Sequence, residues 1–304
     1  MPEADDFSRV HQNMLRTIRN YFAKYLPQSP AGRIGCVAFL AAALLAWVDL
    51  RLAVIPLGGF MVLCMAAPFI PTCSFFLPVV SRGTCGRKAV ALTFDDGPDL
   101  LTTPVLLRLL KKHRAPGTFF VTGHRVVRYP QLTREIIAQG HSVANHSFHH
   151  DMLGAFRSTE TMQHEIEATQ RALKDLGIVA LAYRPPMGIT SPRLRRVMQK
   201  EGMFVVNFSC RAWDGGNRRI RNLSRRILKR VRANDILLLH DNLTQPSLLS
   251  HWAGEVELVL KGIPEKGLEI LPLADLIGRP VMTATGGHAE IHPGPNSEYP
   301  SITR

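Results

Sequence analysis

The sequence predicts an α/β protein: a distorted (β/α)7-type barrel of parallel strands preceded by an N-terminal membrane helical hairpin. Three observations carry this reading. From about Lys88 onward, seven short β-like runs alternate with helical patterns, as parallel β/α packing requires. Two long apolar runs come before them. The polar residues able to do chemistry fall at or near the C-terminal ends of the β-like runs, where β/α barrels carry their sites. A chain of 304 residues accommodates one large domain of this kind with additions.

The elements follow in chain order. Residues 1–33 form a basic amphipathic segment, in which Phe7, Val10, Met14, Ile18, Tyr21, Phe22 and Tyr25 recur at helical spacing between cationic residues. That pattern suits an interfacial helix on anionic lipid, and equally a solvated surface helix. Residues 34–48 are an unbroken apolar run, and 52–70 are apolar or small with two prolines and two glycines. The second is long enough to span a bilayer and the first slightly short. A turn near Asp49–Arg51 makes them a hairpin spanning 34–70. A signal peptide would fit the first run alone, but it starts late, lacks a small-residue cleavage pattern and leads into more apolar sequence. A buried pair of core helices is the soluble alternative.

Arg9, Arg16, Arg19, Lys24 and Arg33 precede the first run, Arg82, Arg87 and Lys88 follow the second, and only Arg51 lies between. The positive-inside rule then keeps both ends in the cytoplasm of a multi-pass inner-membrane protein. Should the first run fail to insert, the domain would lie outside, so the side on which the following domain lies stays open. Thirty-seven Lys and Arg against 24 Asp and Glu give a net charge of +13. Such an excess suits an anionic membrane surface or an acidic substrate. No nucleic-acid motif accompanies it, so nucleic acid is not expected as a partner. Five cysteines without close spacing make neither a disulfide framework nor a zinc ribbon.

The strand candidates are 89–95, 117–123, 141–146, 181–186, 204–210, 235–241 and 268–273. Helix signals lie between them: Pro104 and Pro130 near helix starts, Ser191-Pro192 as N-cap and first helical residue, and a helical stretch over 158–177 ending in glycine. The domain is expected over 86–278. The tail from 279 to 304, rich in Gly, Pro and polar residues, is expected to be disordered.

Two clusters carry the chemistry. In "ALTFDDGPD" (91–99) a strand-like run ends in Asp95 and Asp96. Two adjacent carboxylates repel, so a cation, a shared proton or water must offset their charge. In "NHSFHH" (145–150), His146 and His150 are four apart, sharing one face if the segment is a helical turn. Unlike a zincin H-E-x-x-H, it has Ser147 where the glutamate base would stand. One aspartate can complete an Asp/His/His metal site, leaving its neighbour to take a proton from water. The bland reading is a surface histidine cluster beside a turn.

Taken in order, "TFDDGP" (93–98), "HSFHH" (146–150), "RPPMG" (184–188), "WD" (213–214) and "LLH" (238–240) resemble the five motifs of the polysaccharide deacetylases, the NodB-homology family or carbohydrate esterase family 4. "GTFFVTG" (117–123) is similar to the family's second strand. The resemblance implies the NodB fold, a divalent metal (most often Zn2+, with Co2+, Ni2+ or Mn2+ as alternatives) and hydrolysis of an N-acetyl group. It implies Asp95 as general base, Asp96, His146 and His150 as metal ligands, and His240 as general acid. Arg184 and Asp214 would orient and tune base and acid, and the Met187 N–H would hold the oxyanion. Pro186, Trp213 and Leu238 fall in the motif segments that line the substrate groove.

Two positions depart from the family pattern: Met187 stands where an aromatic is usual, and Gly215-Gly216 follow Asp214. Both put the sugar in question more than the reaction. The expected substrate is an N-acetylated glycan. A lipid-linked amino sugar, deacylated or deformylated at the cytoplasmic leaflet, and a non-catalytic glycan-binding membrane protein are the alternatives.

Overall fold

A computed structural model describes residues 29–285. The expectations for 1–28 and for 286–304 lie outside the described residues. Two compact units are present: one reaches Pro68 and includes Ser74–Leu77, and the other comprises Phe69–Cys73 and the chain from Pro78 onward.

The first unit holds α1 (Pro30–Val48) and α2 (Val54–Ala66). Ser29 caps α1 by accepting the Gly32 N–H at 3.2 Å, with Pro30 at the first helical position. The hairpin turns where expected. The Asp49 side chain accepts the Arg51 N–H at 2.9 Å and starts the 3-10 turn Leu50–Ala53. Helices Pro30–Val48 and Leu50–Phe69 are long and apolar enough to cross a membrane. Their large apolar side chains are mostly exposed, Trp47 at 93% and Leu44 at 74%, so they are not a buried core pair among the described residues.

The second unit is built on a sheet of parallel strands, with a separate antiparallel pair formed by its fifth and eleventh strands. They are β1 (Val79–Val80), β2 (Ala89–Asp95), β3 (Gly117–Val121), β4 (Ser142–Asn145), β5 (Ile178–Ala180), β6 (Ala182–Tyr183), β7 (Phe204–Val206), β8 (Cys210–Arg211), β9 (Ile236–His240), β10 (Glu269–Ile270) and β11 (Met282–Ala284). The main sheet runs β1-β7-β6-β4-β3-β2-β9-β8, with β10 on the start of β2. All seven residues of β2 are buried, which is why it reads as a continuous apolar run rather than an alternating one. Its register sets Asp95 beside Phe120 on one side and His240 on the other. Between β4 and β6, Asn145 pairs with Tyr183, bringing the following residues, His146 and Arg184, to the same sheet edge.

The helices behave as their signals say. Among them are α3 (Thr102–Lys112), α4 (Gly123–Arg128), α5 (Pro130–Ala138), α6 (Thr159–Lys174), α7 (Pro192–Glu201), α8 (Leu223–Arg230), α9 (Leu249–Glu265) and α10 (Leu273–Ile277). Ser158 caps α6 through the Thr161 N–H, and Ser191 caps α7 through that of Leu194. Each cap is worth about 1 kcal/mol. Phe94, Phe119, Phe120 and Trp252 anchor the core.

Two expectations need correction. The run 204–210 is not one strand. It breaks into β7, which pairs with β1 and β6, and β8, which pairs with β9. Nor is the chain irregular from 279: Met282–Ala284 pair antiparallel with Ile178–Ala180, because an edge on β5 supplies partners that a polar composition does not reveal.

Candidate active site

The polar residues converge at the C-terminal ends of β2, β4, β6 and β9. Asp95 closes β2, and its carbonyl accepts the Asp241 N–H at 2.7 Å. The chain then turns sharply, with Asp96 at φ 74° and a cis Gly97–Pro98 bond. Gly97 lies directly on the Asp241 carboxyl, leaving no room for a Cβ. Asp241 itself is buried and accepts hydroxyl bonds from Thr102 (2.7 Å) and Thr103 (2.6 Å). Burial pushes its pKa up to about 8.

His146 follows β4. Its Nδ1 lies 2.7 Å from the Arg184 carbonyl. A carbonyl only accepts, so Nδ1 carries the proton and Nε2 is left with a free lone pair. That Nε2 lies 3.6 Å from Asp95 Oδ2 and 3.5 Å from Asp96 Oδ1, and His150 Nε2 lies 3.3 Å from the same Asp96 oxygen. The two histidines do not share a helical turn, contrary to the expectation from their spacing. Ser147 (φ 65°) and His150 (φ 58°) are left-handed, and the loop doubles back to bring both rings in. It is held by Asn145 Oδ1, which accepts the Ser147 N–H, and by Glu165 of α6, which accepts those of Phe148 and His149.

The donor set fits a divalent metal. Asp96, His146 and His150 each offer a ligand atom, all within 4.8 Å of one another. Asp96 Oδ1 is buried with no hydrogen-bond partner, a costly state for a carboxylate oxygen unless a cation takes it. Its other oxygen accepts from Asn242 Nδ2 at 2.9 Å, which orients the group. Burial opposes the Asp96 charge. The His146 imidazole and the charges of His240 and His150 outweigh burial and hold the carboxyl below the usual carboxylate range. Two nitrogens and one carboxylate oxygen suit zinc or a neighbouring transition ion.

Arg184 is wholly buried beneath this group. Its Nη1 donates to Asp95 Oδ1 (2.6 Å) and Thr93 Oγ1 (2.8 Å), Nε to the Val206 carbonyl and Nη2 to that of Asn207. Its Cζ sits 3.9 Å over the Phe120 ring. On the opposite side His240 Nδ1 meets Asp214 Oδ2 at 3.0 Å. Burial pulls the His240 pKa down, but the bond and charge of Asp214 prevail and raise it to about 9.

An open cavity of about 760 Å³ lies over these residues, lined among others by Asp95, Asp96, His146, His150, Met187, Trp213, Leu238 and His240. Trp213 is 60% exposed, with the Arg211 guanidinium 3.4 Å from its ring centroid, so it forms a wall and not core. Pro186 is buried and lines a separate apolar cavity beside the site, so the structure does not bring it to the substrate groove. The sequence reading assigned no role to Thr93, Glu165, Asn207, Asp241 and Asn242. Thr93 carried a local signal by opening "TFDDGP", and Asp241 and Asn242 by following His240 directly.

Parallel strands that end in an Asp/His/His group able to hold a metal, together with a buried Arg–Asp pair and an Asp–His pair, make a site of the kind metal-dependent hydrolases use. The family profile "Polysaccharide deacetylase" matches residues 82–206. A chitooligosaccharide deacetylase of Bradyrhizobium is 31% identical over 63% of this chain and 91% of its own. A peptidoglycan-N-acetylglucosamine deacetylase of Bacillus cereus is 28% identical over 63% and 89%. Among solved structures, a family 4 carbohydrate esterase from Streptomyces lividans in complex with acetate superposes with a TM-score of 0.56 at 29% identity, covering 65% of this chain and 98% of that one. The chain belongs to the polysaccharide deacetylase family, whose deacetylases are metal-dependent hydrolases of amide C–N bonds.

Proposed function

We propose that this chain is a membrane-anchored, zinc-dependent deacetylase that releases acetate from an N-acetylated amino-sugar glycan. The observation that carries it is the placement of Asp95 and His240 on neighbouring strands in register, facing one cavity from either side of the Asp96/His146/His150 group. Relatives named for chitooligosaccharide and peptidoglycan N-acetylglucosamine deacetylation support the substrate class. The apolar helices Pro30–Val48 and Leu50–Phe69 support a membrane anchor ahead of a catalytic domain over 86–278.

Asp96, His146 and His150 would hold the metal. Bound there, it supplies Lewis-acid polarisation of the acetamide carbonyl. Asp95 takes a proton from the attacking water, its carboxylate fixed in direction by Arg184. Water oxygen bonds to the carbonyl carbon, and the Met187 N–H, presented on a left-handed turn at φ 61°, donates to the developing oxyanion. His240 then gives its Nε2 proton to nitrogen as the C–N bond breaks, yielding acetate and a free amine. Asp214 keeps His240 charged for this role. Trp213 and Leu238 offer apolar walls for the acetyl methyl.

Purified full-length chain supplied with zinc is expected to release acetate from chitooligosaccharides or peptidoglycan fragments and to stop when a chelator removes the metal. No acetate from any N-acetyl glycan, in the presence of bound zinc, rejects the reading.

The pH dependence gives a sharper check on the acid. His240 must be protonated, and its pKa is raised to about 9, so turnover is expected to fall as pH rises through that value. In Asp214→Asn the largest raising interaction disappears, so burial pulls the imidazole toward a lower pKa against the weaker charges of Asp96 and Asp95. The alkaline limb of kcat should therefore move toward lower pH. An unmoved limb would take His240 out of the acid role.

A further inference from the structure

We propose that the mouth of the catalytic cavity is itself a docking face for an anionic bilayer surface. This rests on the deacetylase reading and narrows its substrate to amino sugars presented at the headgroup layer.

Charge is the first ground. Between Arg211 and Arg232 the chain carries nine Lys and Arg residues and one acid, Asp214, which is already paired with His240. The tract starts in the cavity wall, where Arg211, Arg218 and Arg219 line the site, and continues along α8. That helix buries Leu223 and Ile227 and exposes Arg225, Lys229 and Arg230. Among the described residues, none of these three is in an ion pair with an acidic side chain. A basic stripe of this kind attracts anionic headgroups at close range.

Second, the same rim exposes more apolar surface than one acetyl methyl can cover. Met152, Met187 and Trp213 line the mouth and are 55%, 54% and 60% exposed, and Leu153 and Phe156 continue the patch along the loop after β4 at 59% and 53%. Exposed aromatic and aliphatic side chains beside cations are the make-up of an interfacial surface.

Third, the chain enters the catalytic unit at this rim. The apolar stretch Leu50–Phe69 ends at Phe69, whose ring lies 6.1 Å from that of Phe156. Two residues on, the Pro71 carbonyl accepts from Asn207 Nδ2 at 2.9 Å. The same Nδ2 donates at 3.0 Å to the carbonyl of Gly188, the neighbour of Met187. The point where a membrane segment would surface is thus fastened beside the oxyanion turn. An anionic polymer would explain the charge alone, but not the apolar rim or this entry point.

The test reconstitutes the full chain in phosphatidylcholine vesicles with and without phosphatidylglycerol, using acyl chains brominated near the headgroup. Subtracting the Trp213→Phe signal isolates Trp213 fluorescence. Trp213 is expected to be quenched in the phosphatidylglycerol vesicles and restored by high salt. The triple variant R225E/K229E/R230E should abolish that quenching. It should also lose at least about tenfold in turnover of an N-acetylglucosaminyl lipid in the same vesicles, with soluble chitooligosaccharide turnover unchanged. Salt on the unaltered chain gives the same reading without relying on the variant's fold. Quenching that ignores both lipid charge and salt overturns the proposal. So does a variant that loses activity on an acidic soluble glycan while its Trp213 quenching persists, which marks a polymer-binding tract. If quenching follows lipid charge but neither substrate yields acetate, the docking face stands and the deacetylase reading falls.

Discussion

Asp95→Asn is expected to lower kcat on the order of 10³-fold, the scale lost with a positioned general base, with KM little changed. Asparagine keeps the shape and one oxygen for Arg184 Nη1, now 2.6 Å from the carboxylate, but it cannot take a proton from water. Because Asp96, His146 and His150 are untouched, zinc should still bind at about one equivalent per chain by direct metal analysis. Steady-state acetate release read beside metal content separates loss of the base from loss of the site. Turnover within tenfold of the unaltered chain would move the base to another residue.

The second large effect is on the fold. Arg184→Met conserves much of the side-chain volume but removes the guanidinium paired with Asp95, and it leaves the carbonyls of Val206 and Asn207 without the donors they have now. Arg184 is wholly buried, so water cannot replace those bonds. Breaking a buried ion pair from one side costs about 4 kcal/mol. In a domain of this size that lowers Tm by roughly 10 °C in thermal unfolding. Activity should fall with it, since Asp95 loses the hydrogen bond that sets its direction. Arg184→Lys is the useful companion: it restores a cation, but one ammonium does not reach all the acceptors of a planar guanidinium. A Tm unchanged in the methionine variant would mean Arg184 serves chemistry alone.

The strands at the centre of the sheet were legible because burial on both faces leaves unbroken apolar runs, and β2 and β9 are the clearest of these. The acids, histidines and arginine of the site were legible because strand ends in parallel sheets concentrate such residues. How His146 and His150 meet was not. Their spacing of four suggested a helix, but the loop instead uses left-handed Ser147 and His150, two residue types that carry no such signal. The short strands β1, β5, β6 and β11 also escape reading, since two or three residues acquire strand geometry from distant partners. The supporting polar groups follow the same logic. Asn207 matters through Pro71 and Gly188, and Glu165 through the backbone of the histidine loop, contacts that no local pattern encodes. Trp213 could be read as wall or core from sequence, and its exposure settles it as wall.

The fastening of Pro71 to Asn207 sets a limit on reach. If the stretch ending at Phe69 lies in a bilayer, two residues separate it from a fixed point of the catalytic unit, a leash of no more than about 7 Å. An enzyme on a long flexible stalk samples a large volume and meets any one surface group rarely. One held this short meets the groups within its radius at high effective concentration and nothing beyond. Such a chain works as a stationary tool, past which the membrane must carry its substrate.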